Sequence, residues 1–215
     1  MRKLTTAAGS VLAAFVLVGS VASAPAGAAQ TAGGSAGTRH AAPAQATAPA
    51  VGRIIFVGTP GTGKPPLKLG HYVMRKAPPD SRPLYGKVTT VKTGQGLLRF
   101  GRSLTHYRIG HGWATWSHGY AGPVYYATGY HLTLTLPAGT KAFYLYAEPN
   151  RFKAFGFRVT AQNGVSSGNK TIQGSHGALF FGFYCTGTMT LKSIKIDSGD
   201  SQGFAVGEFG IRRVS

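Results

Sequence analysis

The segment 141–164, KAFYLYAEPNRFKAFGFRVTAQNG, decides the fold class. Its first half places Phe143, Leu145 and Ala147 on one face of an extended chain and Tyr144, Tyr146 and Glu148 on the other. After Pro149-Asn150 the same alternation returns with Phe155, Phe157 and Val159, and it ends at Asn163-Gly164. A period of two rich in aromatic and β-branched residues marks strands, and the Pro, Asn and Gly pairs between them mark turns. To either side, HLTLTLP (131–137) alternates Leu132, Leu134 and Leu136 with polar residues, LKSIKID (191–197) aligns Ile194 and Ile196, and FAVGEFGI (204–211) closes the domain. Pro137-Ala138-Gly139 and Asp197-Ser198-Gly199 supply further turns. Helical periodicity and βαβ alternation are missing. Short strands at this spacing predict an all-β protein, an antiparallel β-sandwich or jelly roll.

The ends divide the chain into three parts. Arg2 and Lys3, an apolar run from Ala7 to about Ala24, and then small residues have the order of a secretory signal peptide, assigned to 1–28. Cleavage after Ala22-Ser23-Ala24 is obstructed by Pro25, and Ala26-Gly27-Ala28 offers the cleaner site. The run is short for a bilayer span, which takes roughly 20 residues. Export and an extracellular location are expected, with no transmembrane segment in the mature form. Residues 29–50, rich in Ala, Gly and Pro and devoid of aromatics, have too little apolar surface to offset chain entropy and read as a flexible linker. Residues 51–215 remain as one domain, long enough for a proper core.

That domain holds 20 basic and 5 acidic residues. Such a field attracts polyanions: cell-wall polymers, acidic polysaccharides, anionic headgroups, and nucleic acid without specificity. Cys185 is the single cysteine, so no internal disulfide can form. In ALFFGFYCTG (178–187) it shares strand parity with Leu179, Phe181 and Phe183, which predicts a buried thiol acting as a small hydrophobe.

FVGTPGTGKPP (56–66) has the Gly58, Gly63 and Lys64 spacing of a phosphate-binding loop. Pro65 stands where the magnesium-holding hydroxyl belongs, and Pro65 with Pro66 removes two amide donors. A turn-rich entry loop with an exposed Lys64 is expected, and no nucleotide partner.

Three long segments carry a resemblance. WATWSHGY (113–120), LPAGTKAFYLYAEPN (136–150) and FAVGEFGI (204–211) are similar to segments of a widespread group of bacterial secreted β-sandwich domains with no assigned activity. The likeness spans about residues 56–213. It implies an extracellular β-sandwich and carries over no catalytic residue.

The richest cluster of functional side chains is HYRIGHGWATWSHGYAGPVYY (106–126). Trp113, Trp116, His118, Tyr120, Tyr125 and Tyr126 are ligand-binding candidates, since flat rings flanked by hydrogen-bonding groups suit sugars; the same rings also suit a packed core. Trp113 and Trp116, three apart, would face opposite sides of a strand. His118, between Ser117 and Gly119, is expected to shape a tight turn. The spacing of His106, His111, His118 and His131 matches no compact zinc pattern, and no metal site is assigned. Glu148 and Glu208 form the one carboxylate pair worth testing for glycosidase-like hydrolysis. Glu208 shares the parity of Phe204 and Val206, opposite to Phe209 and Ile211. Asp197, Asp200 and Glu208 are weak candidates for a structural calcium. No G-x-S-x-G elbow is present. Taken together these features favour a secreted non-catalytic module binding anionic or polysaccharide surface material, over a structural or protein-partner module and a carboxylate-dependent hydrolase.

Overall fold

The computed structural model describes residues 51–214; the expected signal peptide and the linker lie outside them. Among the described residues there is no helix, and so none long and apolar enough to cross a membrane. The strands are β1 (Ile54–Val57), β2 (Lys68–Leu69), β3 (Tyr72–Val73), β4 (Arg75–Lys76), β5 (Lys87–Lys92), β6 (Leu97–Ile109), β7 (Gly112–Trp113) and β8 (Pro123–Ala127). They continue with β9 (His131–Thr135), β10 (Thr140–Pro149), β11 (Ala154–Ala161), β12 (Lys170–Gln173), β13 (Leu179–Cys185), β14 (Ser193–Ser198) and β15 (Phe204–Arg213).

One sheet runs in the order β1-β13-β10-β15-β8-β6-β9-β14-β11-β12, antiparallel at every step. Strands β4, β5 and β7 are attached to its flanks, and β2 and β3 form a separate hairpin. The sheet curls into a half-barrel. Phe181 and Phe183 of β13, Leu145 of β10, Leu98 of β6, Ile196 of β14 and Ile172 of β12 all belong to one buried cluster, and β12 at the far end of the path meets β10. The two halves of a single curled sheet thus supply the facing layers. Each buried Phe or Leu contributes about 1.5–3 kcal/mol through burial, and this one core carries the fold without a disulfide. Cys185 is fully buried within it, as its parity predicts.

The predicted faces hold. Phe143, Leu145 and Ala147 lie in the core, and Tyr144 and Tyr146 lie on the opposite face. That opposite face is covered as well. Leu69 and Tyr72 of the β2–β3 hairpin, with Phe180, pack on Tyr144 and Tyr146. Hence β10 is buried on both sides over almost its whole length. Residues 58–64 form two successive turns (Gly61 N–H to Gly58 O, 3.2 Å; Gly63 N–H to Pro60 O, 3.1 Å). The loop is pinned to the covered face by Tyr146 Oη donating to Gly63 O at 2.6 Å. It leads into no helix, and Lys64 is exposed.

Strands β5 and β6 escape the sequence reading above, although Leu98, Phe100, Leu104 and His106 alternate inward along β6. Gly101 and Arg102 in mid-strand interrupt the apolar pattern and hide it.

Candidate functional site

The site is built where β15 changes register. Tyr144 of β10 faces Gly210, and Tyr146 faces Gly207, so Leu145 alone stands opposite both Glu208 and Phe209. This is a β-bulge, with Glu208 at φ +50°. The extra residue reverses the parity of everything after it. Phe204 and Val206 before the bulge, and Phe209 and Ile211 after it, all enter the same core, whereas Glu208 is turned to the other face. The simple alternation that groups Glu208 with Phe204 and Val206 is therefore corrected.

The bulge coincides with a break along one edge of β15. Residues 204–207 pair with β8, and Gly210 and Ile211 pair with β4. Between the two collinear strands, opposite Glu208 and Phe209, lies a cleft of about 310 Å³. Lys76, Pro78, Pro79, Arg108, Tyr120 and Pro123 line it, together with Glu208 and the edges of Val91, Tyr125 and Phe209.

The loop from Trp113 to Gly122 folds over the outer face of β15 and brings both indoles to the same side. Trp113 Nε1 donates to Glu148 Oε2 at 2.9 Å, and Trp116 Nε1 donates to Glu208 Oε2 at 3.3 Å. The expectation that these rings face opposite sides fails because only Trp113 is in a strand; Trp116 lies in irregular chain, where strand parity does not apply. Gly207 lets β8 approach closely: a Cβ there would stand 3.0 Å from both Pro123 O and Val124 Cγ1, with Trp116 Cζ2 at 3.4 Å.

Each glutamate is withdrawn from water. Glu148 is completely buried, and Thr115 Oγ1 donates to its second oxygen. Burial pushes its carboxyl up to about 7, against the opposing pull of the Thr115 and Trp113 donors. Glu208 is 6% exposed, and burial likewise raises it to about 7, opposed by the Trp116 N–H and by Lys76. His118 sits at φ +45° ahead of Gly119 at φ +77°, with Tyr120 N–H donating to Ser117 O at 3.0 Å. Two successive positive φ values are those of a type I′ turn, the tight turn expected here. The turn carries His118 Nε2 to 3.0 Å from Glu208 Oε2. The approach is off the line of a hydrogen bond, which leaves Nε2 buried without a partner. Burial lowers the His118 pKa, and Lys76 and Lys64 add to the effect.

The six ligand candidates separate into three settings. Trp116 and His118 gather at Glu208, and Tyr120 lines the cleft. Tyr125 faces the core, stacks on His106 and donates its hydroxyl to Asp80 Oδ2 at 2.8 Å. Asp80 is clamped by Arg82, whose Nε lies 2.9 Å from Oδ1. Burial alone would raise the Asp80 carboxyl, but the Arg82 bonds outweigh it and hold it well below the usual range. Tyr126 and Trp113 belong to an aromatic run on the outer face, in which Tyr85, Tyr107, Tyr126 and Trp113 follow at centroid separations of 5.5, 6.0 and 5.9 Å. Tyr85, at one end, is largely exposed.

Glu148 does not line the cleft that Glu208 lines. Its partner on β15 is Ala205, three residues from Glu208 and so about 10 Å along the strand. The suggested calcium ligands are likewise dispersed. Asp200 accepts from Arg151 Nε at 2.8 Å and from the Gln202 amide at 3.0 Å; Asp197 pairs with His131 and Lys195 at the surface. Among the described residues no three His, Cys, Asp or Glu side chains are grouped to hold a metal ion. Lys76, Arg108 and Thr115 were not singled out by sequence reasoning, since nothing local distinguishes them from other lysines, arginines and threonines.

No protein-family model, curated protein or solved structure matches this chain.

Proposed function

We propose that residues 51–214 form the non-catalytic binding module of an exported protein and that they dock on anionic or polysaccharide material of the cell surface. The observation that supports this most strongly is the sorting of charge by depth. Glu148 and Asp200 are fully buried, Glu208 nearly so, and the Asp80 carboxylate is 9% exposed and held by Arg82. Asp197, at 29%, is the most exposed acid, and Lys195 already pairs with it at 3.0 Å. Among the described residues no lysine or arginine is buried. The outer surface consequently presents one sign of charge, with little internal neutralisation to weaken its attraction for a polyanion. At the exposed end of the aromatic run Tyr85 offers a stacking face for a polymer held there, with the half-buried Tyr107 and Tyr126 behind it. Membership of the secreted group that the three motifs resemble is part of the same proposal.

The test is co-sedimentation of the purified protein with a bacterial cell-wall fraction at low salt and at 1 M salt. Screening shortens from about 10 Å at 0.1 M to about 3 Å at 1 M, so retention at low salt should collapse at 1 M. No retention at low salt, or retention indifferent to salt, would overturn the electrostatic account.

A further inference from the structure

We infer that the gap in the sheet between β8 and β4 is a binding site for a single sugar residue bearing one anionic group, a carboxylate or a phosphate ester. This deepens the polyanion reading and rests on it: the gap would take one unit of the polymer that the surface attracts.

Four observations converge on the gap. The first is backbone geometry. A non-glycine residue in the left-handed region is disfavoured by roughly 1–2 kcal/mol, and Glu208 at the bulge and His118 in the facing turn both occupy it. Glu208 lines the cleft, and His118, from behind it, approaches its carboxyl at 3.0 Å. Outliers of this kind persist where the surroundings over-determine them, and they concentrate at functional sites. Second, the cations at the cleft are uncommitted. Among the described residues neither Lys76 nor Arg108 makes a side-chain hydrogen bond or salt bridge, although both are exposed over the opening. An arginine fork beside a lysine suits the oxygens of a carboxylate or phosphate.

Third, the walls are mixed as a sugar requires. Pro78 and Pro79 offer apolar surface to ring C–H groups, and the Glu208 carboxyl offers hydrogen bonding to a hydroxyl. Burial favours the protonated form of that carboxyl, which lessens its repulsion of an anion held beside it. Fourth, the volume of about 310 Å³ lies at the lower end of small-molecule sites, roughly 300–1,000 Å³. That suits one residue of a polymer rather than several.

The experiment titrates the purified protein with D-glucuronate, with D-glucose 6-phosphate and with D-glucose, by calorimetry and by tryptophan fluorescence in parallel. Trp116 touches Glu208 and should report occupancy, and calorimetry registers binding that leaves the indole unchanged. Saturable binding of at least one anionic sugar is expected, at least tenfold tighter than glucose. Lys76→Ala and Arg108→Ala should each weaken it tenfold or more, and Lys170→Ala, the same charge change on distant β12, should not. Glucuronate alone identifies a carboxylate site and glucose 6-phosphate alone a phosphate site. Binding of neither, equal binding of glucose, or an equal loss in Lys170→Ala overturns the inference. Cell-wall retention is read on the same variants. Salt-sensitive retention without monosaccharide binding removes the cleft site and keeps the surface reading; monosaccharide binding without retention does the reverse.

Discussion

Replacing Glu148 by glutamine isolates the energetic consequence of burying a carboxylate in this fold. In the folded protein the group titrates at about 7, against an ordinary 4.5. Between those values the folded state holds a proton that the unfolded chain has released. The associated stability is therefore complete below about pH 4.5 and is lost as pH rises, until above pH 7 folding must bury an ionised group. At about 1.4 kcal/mol per pH unit the displacement corresponds to about 3 kcal/mol. Glutamine keeps the hydrogen bonds: its amide oxygen can accept from Trp113 Nε1, and its amide NH₂ can donate to Thr115 Oγ1. The Thr115 hydroxyl then turns to the Gly174 carbonyl, 3.2 Å away. Glu148→Gln should match the parent near pH 4.5 and exceed it by about 3 kcal/mol at pH 8.5. For a domain of this size that is a rise in Tm of about 6–12 °C. Glu208 titrates over the same window and is untouched, so part of the parent's pH slope should remain, offset by His118, whose lowered pKa acts in the opposite sense. Thermal unfolding followed by near-ultraviolet circular dichroism at pH 4.5, 7 and 8.5 measures this. An unchanged slope, or a variant less stable than the parent at pH 8.5, would refute the account of Glu148 as a buried, displaced acid.

Two further outcomes follow from the same geometry. Because Glu208 sits at φ +50°, Glu208→Gly should be more stable than Glu208→Ala by about 1 kcal/mol in urea unfolding, since both lose the carboxylate but only glycine relaxes the backbone; equal stabilities would argue against strain at the bulge. Cys185 is fully buried, and desolvation pushes its thiol up to about 11 despite Lys141, so a thiol reagent at pH 8 should react only at the rate of unfolding, and rapid labelling of the native protein would contradict its place in the core.

Much of the fold can be read along the chain because strand periodicity is a local property. The alternation of Phe143, Leu145 and Ala147 with Tyr144 and Tyr146 identifies both the strand and its two faces without knowledge of any neighbour. The candidate site is legible only in part. Glu148, Glu208, Trp113, Trp116 and His118 stand out by residue type, but their pairing does not. A bulge is a mismatch between two strands, here β10 and β15, which are about 60 residues apart in sequence, so the flip of Glu208 leaves no mark in FAVGEFGI itself. Lys76 of β4 and Arg108 of β6 are ordinary surface cations in sequence and come to line one cleft only because β4 and β8 leave a gap beside β15.

By itself, then, the sequence determined the β class, the inward faces of its strongest strands, the turn at His118-Gly119, the burial of Cys185 and the excess of positive charge. Each depends on composition or on neighbours within a few residues. Tertiary structure alone decided that one sheet curls around a single core, that β10 is covered on both faces, that each indole meets a buried glutamate, and that a cleft opens beside Glu208. Those features arise from which distant strands become neighbours and in what register, and long-range pairing is set by the packing of the whole core rather than by any short stretch of chain.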